Sequence, residues 1–196
     1  MDSEPKGSGY GGIESGTRVG IANRRSMSGC DVVLRFLSLS LSLAAAVVLG
    51  VNKETKMVSV TLLPTLPPIN IPAAAKWNYL SAFTYLVVAN SIACGYAAIS
   101  LALTLANRDG TKKWITTLIA ILDLIMVALL FSAIGAAGAI GLMGYRGNSH
   151  VQWEEVCNEF DKFCSQTAAS LGLSAAAAVT FFLLVVLATY NLHKRH

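Results

Sequence analysis

The chain has 196 residues, 54% of them hydrophobic and only 13% charged, with a mean hydropathy of +0.57. Soluble domains carry about 25% charged residues, so this composition describes a single integral membrane domain. The net charge of +4, with no basic stripe interleaved with aromatics, argues against nucleic acid as a partner and makes the lipid bilayer the natural surroundings.

Residues 1–30, "MDSEPKGSGYGGIESGTRVGIANRRSMSGC", are rich in Gly and Ser and have no apolar periodicity. They read as a disordered cytoplasmic tail. Arg24 and Arg25 beside Ser26 and Ser28 form a short kinase-type pattern that chance supplies often, and Cys30 reads as an unmodified thiol in preference to a palmitoylation site. Four apolar runs follow, at roughly 32–51, 79–105, 114–144 and 168–190, and a tail closes the chain at 191–196. Each run meets the length of about 20 residues that a bilayer core of ~30 Å demands. The expected fold is therefore all-α: a membrane four-helix bundle. The third run is longer than a span requires and should tilt or project.

The connection at 52–78 contains "LLPTLPPINIP" and no cysteine. Pro64, Pro67, Pro68 and Pro72 remove backbone donors, which predicts an extended segment, polyproline-like in part. The short basic link "NRDGTKK" makes the second and third helices an antiparallel hairpin. The last connection, roughly 145–167, spaces Val156, Phe160 and Phe163 helically, with Trp153 three residues earlier, and predicts a short amphipathic surface helix. Nine Lys and Arg residues lie in the segments 1–30, 107–113 and 191–196, and five on the opposite side, which places both termini in the cytoplasm.

Cys157 and Cys164 then face the oxidising exterior, where a disulfide is the favoured state. Seven residues of unbroken helix would hold their Cα atoms about 10.5 Å apart, beyond the ~7 Å limit for a bridge. The bond therefore requires the chain to bend between them. Cys94 reads as a small buried hydrophobe.

Within the spans the strong polar outliers are Arg35 and Asp123. Asp123 leans toward its own helix start, and so toward the cytoplasm and the guanidinium of Arg35, which makes a pair between the first and third helices plausible. With no further acid, Lys or His in any span, its expected role is to fix packing and register and not to relay protons. Small residues form the other pattern. Gly135, Gly138, Gly141 and Gly144 recur every third position, Gly135 with Ala139 and Ala137 with Gly141 are four apart, and the second helix offers Ser91 with Gly95 and Ala93 with Ala97. Such faces allow close helix approach, either inside the bundle or between protomers.

Catalytic signatures are missing: the chain has no HExxH, GxxxxGK[ST], GxSxG or N-x-[ST] motif, and His150, His193 and His196 sit in connections or the tail. No catalytic residue, metal site or cofactor is expected. A channel or transporter for a small solute or ion is the second reading; Ser38, Ser40 and Ser42 alternate along the first helix without forming one stripe, and no span has an internal Pro.

An Arg early in the first span, an Asp midway along the third, "LLPTLPPIN", "YLSAFTYLVVANSIACGYAAIS", "MVALLFSAIGAAGAIGLMG" and the last connection's "W…C…F…C" together resemble the CASP-like proteins. These are relatives of the Casparian strip membrane domain proteins and, more distantly, of the MARVEL tetraspan proteins. The likeness spans 31–187 and points to the first subfamily and its 1E branch. It implies a multi-pass plasma-membrane protein of plants with four spans, both termini inside, and homodimers, heterodimers or larger assemblies with related CASP-like chains. Arg35 and Asp123 match the family's intramembrane pair, and Cys157 and Cys164 its paired cysteines. Casparian strip proteins are membrane scaffolds that guide local wall lignification through a distinctive first outer loop. The Pro-rich loop here departs from that signature, so only a generic scaffold, organising a membrane domain or recruiting partners, carries over.

Overall fold

The computed structural model describes residues 12–60, 69–106, 113–147, 157–158 and 160–193. Helix α1 is Gly12–Gly50; strands β1 (Lys53–Val60) and β2 (Ile69–Lys76) form an antiparallel pair; a 3₁₀ turn at Trp77–Tyr79 leads into α2 (Ser81–Ala106). Then come α3 (Lys113–Arg146) and α4 (Asp161–His193). Among the described residues, four helical segments are long and apolar enough to cross a membrane: Gly29–Gly50, Ser81–Ala106, Trp114–Arg146 and Asp161–His193. Each helix packs on its neighbour in sequence and α1 also packs on α4, which closes a four-helix bundle. The β pair and the start of α4 lie at one end, called the hairpin end below.

The buried positions repeat at alternating steps of three and four. Along α1 they are Arg35, Ser38, Ser42, Ala45, Leu49 and, just past its end, Asn52; along α4 they include Phe163, Thr167, Ser170, Ser174, Ala177 and Phe181. Phe83, Leu86, Asn90, Ala93, Ala97 and Ser100 continue the pattern on α2, and Asp123, Met126, Leu130, Ala133 and Ala137 on α3. A seven-residue repeat of this kind is the signature of helices packed knobs-into-holes. What faces inward is largely small or polar, while Val33, Phe36, Ile99 and Phe131 are more than half exposed. That inversion suits a bundle whose outer solvent is lipid, as apolar as leucine itself.

Three expectations change. Helix extends back to Gly12, into the segment read as a disordered tail. Once a span has nucleated, each added residue gains a backbone hydrogen bond at little further cost, and no Pro interrupts 12–30. The first connection is a β pair, with Pro72 in β2 opposite Met57, while Pro64, Pro67 and Pro68 lie outside the described residues. The phenylalanines assigned to a surface helix are core residues. Phe160 precedes α4 and Phe163 lies in its first turn; both are buried, and Phe163 meets Phe83 edge-on at 5.9 Å. Trp153 and Val156 lie outside the described residues. At the far end of the preceding helix, Gly147 adopts φ 64°, the left-handed conformation that glycine enters without strain, and α3 stops there.

Candidate functional site: a buried ion cluster

The site begins with one helix turn. Asp31 and Arg35 are four apart on α1, the acid on the N-terminal side, an order that favours pairing on a helix. Arg35 Nε donates to Asp31 Oδ2 at 3.1 Å and Nη2 to Asp31 Oδ1 at 3.3 Å. The other edge of the same planar group turns inward: Nη1 donates to Asp123 Oδ1 at 3.5 Å and Nη2 to Asp123 Oδ2 at 3.3 Å. One guanidinium thus joins two carboxylates, one on its own helix and one 88 residues further along the chain. Only arginine's fork can do this; a lysine would present a single point charge.

Asp123 lies about 15 Å along α3, inside the bundle, and is fully buried. Its second partner is Tyr96 on α2, whose hydroxyl donates to Asp123 Oδ1 at 2.7 Å. That hydroxyl also lies 3.0 Å from the carbonyl of Ile119, but it has one proton, and the shorter contact to a charged acceptor is the stronger claim on it. Phe181 of α4 closes the site with its ring 6.1 Å from that of Tyr96. All four helices therefore contribute, and the cluster exists only when the bundle is formed.

Chemically the cluster is closed. It has no nucleophile, and each ionised group is engaged by another, as a buried charge must be to be tolerated. No group of three or more His, Cys, Asp or Glu suited to a metal occurs among the described residues.

Two further polar layers were not anticipated. At mid-bundle, Asn90 Nδ2 donates to Ser174 Oγ at 2.9 Å, Ser174 Oγ to the Ser170 carbonyl at 2.8 Å, and Ser170 Oγ to the Ala45 carbonyl on α1 at 2.9 Å. At the hairpin end, the first turn of α4 is held from both sides by the residues after α1. Glu54 accepts the Phe163 N–H at 2.9 Å, and Asn52 Nδ2 donates to the Phe163 carbonyl at 3.0 Å. The available signal was the three–four spacing of Ser38, Ser42 and Asn52, and of Thr167, Ser170 and Ser174, and the i, i+4 pair Asp31–Arg35. Ser38 and Ser42 do share one buried stripe, and Ser40 points outward.

Cys157 and Cys164 are disulfide-bonded, with Cα atoms 5.7 Å apart. The bend required for this is present, because Cys157 sits in a turn and Cys164 in the first turn of α4. The Cys157 N–H also donates to the Gly144 carbonyl at 3.2 Å, which ties the bridge to the end of α3.

The small residues divide. Ala93 and Ala97 are fully buried and pack inside. Ser91 and Gly95 are exposed, and a Cβ placed on Gly95, Gly135, Gly138, Gly141 or Gly144 would meet nothing within 4 Å. Alanine fills the close approaches; Gly95 and Gly135 are exposed, and Gly138, Gly141 and Gly144 are half-buried.

A four-span membrane bundle locked by a buried Arg–Asp pair, with a disulfide at one end, is the class of protein these features define. Within that class the sequence is specific. A family model, the Casparian strip membrane protein domain, matches residues 24–180. CASP-like protein 1E2 of Vitis vinifera is 55% identical over 197 residues, covering 100% of both chains. CASP-like protein 1E1 of Populus trichocarpa is 53% identical, covering 91% of this chain and 90% of its own. CASP-like protein 1E1 of Arabidopsis thaliana is 52% identical over 83% and 85%. The chain belongs to the CASP-like branch of the Casparian strip membrane protein family. No solved structure matches it.

Proposed function

We propose that this chain is an oligomerising scaffold of the plant plasma membrane, with both termini in the cytoplasm and the hairpin end outside, that organises a membrane domain or recruits partners. Its expected partners are further copies of itself and related CASP-like chains. No catalysis is assigned to it. The observation that carries this reading is the division of small residues. Alanines complete the bundle, while Gly135 is exposed, Gly138 and Gly141 are half-buried, and the space beside each is open, so that a second helix can approach closely. The engaged polar interior supports the same reading, since its charges hold the helices together and leave no reactive group free.

The experiment is photobleaching of a fluorescently tagged copy in plant cells, with Gly135→Leu and Gly141→Leu as variants. A Cβ at either position would meet no neighbouring group within 4 Å. Slow recovery in a bounded plasma-membrane zone, lost in the variants together with co-purification of a differently tagged copy, is the expected result. Fast recovery of the unsubstituted protein over the whole surface would reject the scaffold. The second reading, a path for a small solute or ion, draws on the buried hydroxyls of Ser38, Ser42, Ser170 and Ser174. Flux of ions or small solutes in proteoliposomes of the purified chain would support it.

A further inference from the structure

Two atoms inside the bundle lack a counterpart. Asn90 and Asn52 are buried to 0% and 1% exposure, and the Oδ1 of each has no hydrogen-bond partner among the described residues. Their amide orientation is well determined, because each nitrogen already makes two bonds. Asn90 Nδ2 donates to the Leu86 carbonyl at 2.8 Å and to Ser174 Oγ at 2.9 Å. Asn52 Nδ2 donates to the Phe163 carbonyl at 3.0 Å and to Thr167 Oγ1 at 3.3 Å. Turning either amide over would set its oxygen against a carbonyl.

The hydroxyls bonded to these amides have also committed their protons. Ser174 donates to the Ser170 carbonyl at 2.8 Å and Thr167 to the Phe163 carbonyl at 2.8 Å, so neither can serve an Oδ1 without abandoning its own acceptor. A buried amide oxygen left unpaired costs about 1–3 kcal/mol. The described residues offer neither oxygen a donor, and the group that serves it must be small and neutral. A cation of the calcium type seeks about six or more oxygens, whereas the neighbouring oxygens already accept protons. Water needs only two to four polar partners.

We propose that the interior of the bundle binds ordered water at Asn90 and at Asn52, each water donating to the Oδ1. Asn90 lies about 13 Å along α2 from Ser81, at the depth of lipid chains, so its water is a structural component of the α1–α2–α4 interface. The inference is independent of the scaffold reading.

The test is magic-angle-spinning NMR of the full chain, labelled at Asn, Ser and Ala, in lipid bilayers, with polarisation transferred from water. Build-up at Asn90 and Asn52 Cγ should be several-fold faster than at the methyls of Ala93 and Ala97, which lie in the same interior. Build-up at Asn90 no faster than at Ala97 would overturn the proposal, whether the oxygen is then served by a rotated serine or by nothing. In Asn90→Leu the transfer at Ser174 Cβ should fall to the Ala97 level, and its persistence would detach the water from Asn90. If that variant does not fold, the unsubstituted chain decides alone.

Discussion

At the scale of single residues, the chemistry turns on how Arg35 divides its two edges. The outer edge holds Asp31, whose side chain is 27% exposed, and the inner edge holds Asp123, which is not exposed at all. Removing Arg35 leaves Asp123 a lone buried charge, and removing Asp123 takes from Arg35 its buried counter-ion while Asp31 stays; breaking a buried pair costs about 3–5 kcal/mol. Arg35→Ala and Asp123→Ala should each sharply reduce thermal stability in detergent and delivery to the cell surface. The double variant should lose less than the sum of the two; strict additivity would mean that the pair is not coupled. Tyr96→Phe removes one hydrogen bond to a charged acceptor while leaving the ring in place. It should cost about 1.5–3 kcal/mol, read as a lower melting temperature. An unchanged melt would show that the hydroxyl adds no net stability and that Arg35 alone satisfies Asp123.

At the scale of elements, the helices need no amphipathic face to form, and this shaped what the sequence disclosed. Their lengths were plain because an apolar run has one interpretation in a bilayer. Their inward faces were not, since lipid and core are both apolar and hydropathy cannot separate them. Only polar and small residues at three–four spacing carry that information, as at Ser38, Ser42 and Asn52. The start of α4 likewise escaped, because it is capped from afar: Glu54, 109 residues earlier, accepts the Phe163 N–H. Glu54→Ala should destabilise the chain by about 1 kcal/mol, the usual worth of a helix N-cap. Glu54→Gln, which keeps an oxygen acceptor, should restore most of it in the same melt. The β pair needs such anchoring, since an isolated two-stranded hairpin is marginal in water.

At the scale of the whole molecule, the disulfide and the ion cluster secure opposite parts of one bundle. Cys157–Cys164 joins the start of α4 to the turn that bonds the end of α3. A closed loop of this size contributes about 2–3 kcal/mol in the chain-entropy account. Cys157→Ser with Cys164→Ser should therefore lower the melting temperature without abolishing the fold, and reductant should have the same effect on the unsubstituted chain. A melt indifferent to both would mean that the packing of Phe160 and Phe163 suffices.

The sequence by itself determined the number of spans, because the hydrocarbon thickness sets a length that four runs meet. It pointed to Arg35 and Asp123 as partners, because neither charge is tolerable alone among apolar residues. It also implied the bend between the two cysteines, because a continuous helix would hold them too far apart. Tertiary structure alone decided that Tyr96 and Phe181 complete the ion cluster, that Asn90 lies inside, and that a Cβ on the glycines of α3 would meet no neighbour within 4 Å. The physical reason is the same in each case. A span's existence depends on its own residues against lipid, whereas which arc of it is buried depends on three other helices arriving at the same depth.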